Sequence, residues 1–218
     1  MNPLTSSLWI SAKVSVLAAA FSLAAGLPLA WVLARRRFRG KRLLDVLVNL
    51  PLVLPPSVLG YYLLVLLGRN GPVGRLSLAL AGSTLIFTQA GAVVAATVVA
   101  LPLFVQAARN ALEDVPIDVV EAARADGASR WQVARSIVLP LAWPGIWTGV
   151  LLAYARGLGE FGATLMVAGN IPGRTQTMAL AIYSAVQAGQ SVVANELALL
   201  LTAVGGLSLW IALRFRRR

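Results

Sequence analysis

Residues 141–169 form an apolar run that contains two ionisable side chains, Arg156 and Glu160. Four positions apart, they share one face of a helix and lie within pairing distance. Ionisable groups inside an apolar span are costly and by default mark function. Two readings are open. The pair neutralises itself and does nothing more, or Glu160, set in Gly159-Glu160-Phe161-Gly162, fixes a gate or a helix crossing. Neither reading is bond-making chemistry. Glu160 is the one acid well inside an apolar span, so a paired-carboxylate site is absent there. The chain has no histidine and no cysteine, which removes the commonest metal ligand, the usual near-neutral base and any thiolate. It also lacks GxxxxGK[ST], the phosphate-binding loop of ATPases. The expectation is a chain that is not an enzyme and has no metal or cofactor of its own.

A second concentration of charge is EAARADGASRWQVARSIVLP, residues 121–140, with Glu121, Asp126 and three arginines in a chain only 12% charged. Ahead of it, Asp114 and Asp118 suit the positive end of a helix dipole, and Pro116 suits a first helical turn. Gly127 fits the left-handed position just past a helix end. Ser129 followed by Gln132 reads as a capping box opening a second helix that runs to Pro140. The pattern therefore predicts two short helices with a tight turn at Gly127, thinned by Ala122, Ala123, Ala125 and Ala128. A short helix with a small-residue flank and exposed charges suits a groove in another protein. Mixed charge and the lack of a large apolar face argue against lying flat on lipid. An ordinary solvated loop is the competing reading.

The elements that must position these residues are apolar. The chain is 58% hydrophobic with a mean hydropathy of +0.78, against roughly 45–50% apolar in a soluble domain. About 20 apolar residues cross a bilayer core, and five runs qualify as confident spans: 8–34, 43–68 (interrupted by Pro51, Pro55 and Pro56), 83–108, 141–169 and 197–213. Residues 177–189 are apolar but short, so they either lie along the surface or re-enter. Residues 69–82 and 170–176 read as loops. There is no fixed-period repeat. The expected fold class is an all-α, polytopic integral membrane protein, with residues 1–218 as one domain and the charged segment 109–140 inside it.

Lys and Arg number six in residues 35–42, four in 109–139 and four at the C-terminus, but two in 69–82 and one in 170–176. Cytoplasmic loops collect positive charge, so the N-terminus is expected outside and the C-terminus inside. No basic region precedes the first span, which argues against a cleaved signal peptide. The net charge of +11 is then topology, and no nucleic-acid partner is expected, since no basic face with interleaved aromatics exists outside the spans.

The charged segment carries a resemblance. Glu121-Ala122-Ala123, three residues, Gly127, nine residues, then Ile137, one residue, Leu139 and Pro140 resemble the EAA loop of ABC importer permeases. All the fixed spacings are kept. The resemblance implies the type I importer fold, with this loop as the coupling helix that docks into a cytoplasmic ATP-binding subunit. Glu121, Ala122, Ala123 and Gly127 would form the dock, and Ile137, Leu139 and Pro140 would lead back to the membrane. ATP and Mg would be bound by that partner. LPLVLPPSVLGYYLL (50–64) and GLGEFGATLMVAGNIPGRTQTMALAIYSAVQ (157–187) resemble the molybdate permease family more narrowly, although sulfate/thiosulfate permeases share a similar GEFGA block. The further implications are a second copy of the chain, an extracytoplasmic substrate-binding protein, surrounding lipid, and a multi-pass place in the plasma (inner) membrane of a prokaryote. The mechanism implied is alternating access.

The residues of these blocks also speak for themselves. Pro51, Pro55 and Pro56 break backbone bonds, and broken helices persist in membranes only when buried in protein or lining a cavity. The Glu160 carboxylate would repel an oxyanion. Thr164, or N–H groups freed by Gly and Pro, suits one better. Gly159, Glu160, Phe161, Gly162 and Thr164 are therefore the candidate path or gate. Arg69, Arg75 and Arg174 are available to meet a binding protein or are simply solvated. Sulfate, thiosulfate or tungstate permeases are rivals within the class. A membrane-embedded enzyme and a passive channel are rivals outside it.

Overall fold

The computed structural model describes residues 3–36 and 38–216, and every regular element among them is helical. In chain order these are α1 (Pro3–Arg35), α2 (Lys41–Val53), α3 (Pro56–Leu67), α4 (Pro72–Ala81), α5 (Gln89–Glu113), α6 (Ile117–Ala125), α7 (Arg130–Val133), one turn of π-helix (Ala134–Val138), α8 (Leu139–Leu158), α9 (Gly162–Ala168), α10 (Met178–Gln187) and α11 (Ser191–Arg216). Among the described residues four stretches are long and apolar enough to cross a bilayer: Thr5–Arg35, Gln89–Glu113, Arg130–Leu158 and Ser191–Ile211. The pair α2/α3 makes a fifth only if it counts as one span, because it bends by 115°.

That bend has a sequence cause. Leu54 precedes Pro55, and Pro55 precedes Pro56, so two successive residues are pushed out of the helical region by the ring that follows each. Both are extended, with ψ of 136° and 139°. At 13 and 12 residues, each half is roughly 18–20 Å long and falls short of a bilayer core of about 30 Å.

Three other expectations change. Residues 69–82 are not all loop: Pro72 occupies a first helical position and opens α4, because the missing proline N–H costs nothing there. The third span starts at Gln89 rather than Ser83, where Thr88 Oγ1 accepts a bond from Gly91 N at 3.1 Å and caps α5. The run 141–169 is two helices, α8 and α9, parted at Glu160. The apolar stretch 177–189 forms α10, which at 10 residues is too short to cross.

The centre of the bundle is α1, α5 and α8. With no hydrophobic drive between helices in lipid, packing rests on close approach at small residues. A Cβ at Gly149 would lie 3.1 Å from Phe104, one at Gly157 would lie 3.4 Å from Ser15 Cα, and one at Gly145 would collide with Ala111. Leu33, Phe104, Leu112 and Ile146 fill the resulting core.

Polar bonds mark the two ends. At one, Arg35 Nη2 donates to the Leu112 carbonyl at 2.7 Å, and Arg109 Nη1 pairs with Asp45 at 2.9 Å. The basic segments 35–42 and 109–139 therefore share an end (Arg37, Arg217 and Arg218 lie outside the described residues). At the other, Lys13 Nζ donates to Gln89 at 3.0 Å and Gln89 donates to the Arg174 carbonyl at 2.9 Å. There Ser11 Oγ also accepts from Met178 N at 2.7 Å, which fastens the start of α10 to α1.

Candidate functional site

The charged segment folds as two short helices about a tight turn. Gly127 has φ of 89°, a conformation that a side chain disfavours. Gly127 N donates to Arg124 O and Ala128 N to Ala123 O, both at 3.0 Å, which is the paired bonding of a Schellman cap. Two residues on, Ser129 Oγ accepts from Gln132 N at 3.3 Å, and Gln132 Oε1 accepts from Ser129 N at 2.8 Å. The predicted capping box is thus formed in both directions. Pro116 stands just ahead of the first helix rather than within its first turn.

This segment has a rooted side and an open side. Val115, Val120, Val133 and Val138 are buried in the same core as Leu33 and Ile146, with Ala123 and Ala128 packed against it. Glu121, Ala122 and Gly127 are exposed at the tip. Ile137 and Leu139 are half-buried and Pro140 is exposed where the π-turn passes into α8. Ile117 and Trp131 are also open, at 61% and 69%. The sequence pattern does not single them out, because exposure within a mixed helix depends on which face the core claims. The segment thus presents apolar and charged groups together, on a base that belongs to the transmembrane core.

The far end of α8 holds the second constellation. Arg156 Nη1 pairs with Glu160 Oε2 at 2.8 Å. The other carboxylate oxygen, Oε1, accepts from Ala163 N at 2.9 Å. Glu160 therefore both balances Arg156 and satisfies an N–H left open at the start of α9, which broken helices need in a membrane. The pairing is legible from the i,i+4 spacing and the capping is not. Glu160 is 2% exposed, whereas the Arg156 side chain is 32% exposed.

The break after α8 packs directly on the break between α2 and α3. A Cβ at Gly162 would lie 2.7 Å from Pro56 Cβ, and one at Gly60 would lie 2.8 Å from Met166 Cβ. The Phe161 ring lies 5.1 Å from that of Tyr183 of α10, tilted by 53° to it. The two sequence blocks singled out above therefore meet in space. Thr164 is 1% exposed and its Oγ1 has no hydrogen-bond partner among the described residues, so within one protomer it faces packed protein. Gly159 is exposed.

A helical bundle with two abutting broken spans at one level, and a rooted turn presented at one end, has the form of a membrane transport component. Residues 26–218 match the family described as binding-protein-dependent transport system inner membrane component, and the chain belongs to that family. Among similar proteins, the molybdenum transport system permease protein ModB of Escherichia coli (strain K12) is 46% identical, with 100% of this chain and 97% of that protein aligned. The putative molybdenum transport system permease protein YvgM of Bacillus subtilis (strain 168) is 43% identical over 88% of this chain and 83% of its own. The sulfate transport system permease protein CysT of Salmonella typhimurium is 37% identical over 94% and 77%. Among solved structures, an inward-facing MetNI methionine ABC transporter matches with a TM-score of 0.78 at 23% identity, covering 98% of this chain and 94% of that one. The fold is therefore that of an ABC importer permease.

Proposed function

We propose that this chain is the permease subunit through which molybdate enters the cytoplasm, driven by a separate ATP-binding subunit. The observation that carries the reading is the Gly127 turn, open at its tip and rooted in the core that α8 shares with α1 and α5. The likeness to molybdenum permeases along the whole chain supports the choice of oxyanion. Residues 1–218 act as one domain, with 109–140 as its coupling loop. Glu121, Ala122, Ala123 and Gly127 form the dock, and Ile137, Leu139 and Pro140 carry movement into α8. ATP and Mg sit on the partner and not on this chain.

Two copies enclose the path, with the dock in the cytoplasm and a binding protein delivering cargo at the end where Lys13, Gln89 and Arg174 meet. The N-terminus then faces outside and the C-terminus inside. Closure of the ATP-binding subunits draws the two docks together and opens the outer side, and hydrolysis reverses the movement. The 20 residues of α8 span about 30 Å, so the helix reaches from the dock to the Glu160 break. That break, with Gly159, Phe161, Gly162 and Thr164, is the gate region. The test is ATP-driven uptake of radiolabelled molybdate by the reconstituted complex, with tungstate, sulfate and thiosulfate as competitors. Strong competition by sulfate and none by tungstate would reassign the cargo. Uptake without nucleotide would indicate a passive channel.

A further inference from the structure

We propose that Arg156 contacts the oxyanion in the translocation path and that Glu160 is its positioning residue. The inference rests on the oxyanion reading above and extends it to a side chain outside the Gly159–Thr164 block.

The two members of the pair are buried unequally. Glu160 is enclosed, and both of its oxygens are engaged, one by Arg156 and one by Ala163 N. Among the described residues the Arg156 guanidinium has no partner other than Glu160 Oε2, and about a third of its side chain is open. Here the negative member is hidden and the positive one is presented.

The place lies near the end of the bundle where Lys13, Gln89 and Arg174 meet. Neighbouring Gly157 lies against Ser15 of α1. Ser15 lies two residues past Lys13, whose bond to Gln89 marks that end of the bundle, and twenty from the other end of α1 at Arg35, or roughly 3 and 30 Å along the axis. So close to that end, the open side of the guanidinium is within reach of water. The face of α8 beside it is unoccupied in the protomer: Leu152, one turn before, is 40% exposed. Gly159, nearly one turn after, is exposed, and a Cβ added there would meet nothing nearer than Ala155 O at 3.8 Å. A planar guanidinium held at one edge leaves N–H groups in a fork that fits a tetrahedral oxyanion.

Neutralising both members as Arg156→Gln/Glu160→Gln discriminates the two roles. The pair is then near-isosteric, no unpaired charge is buried, and a glutamine oxygen can still accept from Ala163 N. If charge balance were the whole role, uptake by the assembled complex would return to the wild-type rate. With Arg156 as the anion contact, molybdate moved per ATP hydrolysed falls by roughly 100-fold or more, and Arg156→Lys falls by roughly tenfold, because charge is kept and the fork is lost.

A second measurement leaves the pair intact. The chain has no cysteine, so Leu152→Cys and Gly159→Cys can each be labelled singly in the reconstituted complex with anionic and cationic methanethiosulfonates. The expected result is reaction at both positions, with the anionic reagent favoured by roughly fivefold, and loss of that preference in the Gln/Gln background. Wild-type transport by the Gln/Gln variant, or no labelling at either position, overturns the proposal. If the wild-type complex carries sulfate but not molybdate while the labelling pattern holds, the cargo reading fails and the anion contact stands.

Discussion

At Gly127 the chain turns where its tip is solvent-exposed, and at Glu160 it breaks around a carboxylate that is almost fully enclosed. The first turn needs one left-handed glycine, two backbone bonds and a capping box, all within twelve residues of sequence. The second needs a carboxylate to supply the bond that water would have given, an arginine to make that carboxylate tolerable, and a proline from a distant helix to pack on Gly162. The contrast teaches where tolerance lies. The exposed turn can lose its function while the bundle stays whole, whereas damage at the enclosed break reaches the bundle first.

Substitutions can break or sharpen that contrast. Gly127→Pro fixes φ near −65° where 89° is required and removes the donor to Arg124 O. A local cost of about 3 kcal/mol or more, relieved by opening of the exposed turn alone, should lower ATP-driven uptake by about 100-fold or more while the protein remains in the membrane and keeps its melting temperature. Retained uptake would remove the turn from the coupling role. Glu160→Ala should behave in the opposite way. It strands Arg156 and uncaps α9, a loss of about 3 kcal/mol at the lower edge for a broken buried pair, read as a melting temperature lower by about 10 °C in detergent.

Trp131→Ala removes the most open aromatic beside the turn. Its expected cost of about 2 kcal/mol in binding corresponds to a roughly 30-fold weaker association with the ATP-binding subunit, measured by titration, with no change in melting. Ser129→Ala, which removes half of the capping box, should have the smallest effect. About 1 kcal/mol should appear as faster hydrogen exchange in residues 129–133 and as a several-fold fall in uptake at most.

What can be read from the sequence follows the same division. The turn is legible because Gly127, Ser129 and Gln132 act over a few residues, and each has a local physical preference. The proline bend and the Arg156–Glu160 spacing are legible for the same reason. Helix α4 reads as loop because Gly71-Pro72 signals a turn as well as a helix start, and only the bundle decides between them. The bond from Met178 N to Ser11 Oγ joins residues 167 positions apart, and no local pattern announces it. The cap from Glu160 to Ala163 spans three residues, yet it escapes a sequence reading because a long apolar run conceals the break that makes it necessary.

The glycines of α8 carry one last implication. Side chains that separate helices act as a compliant layer, since each can change rotamer and absorb a small displacement. At Gly145, Gly149 and Gly157 that layer is missing, and backbone meets backbone or the root of a side chain. A pull applied at one end of α8 therefore has little to stretch against before it arrives at the other, and it takes α1 and α5 along with it.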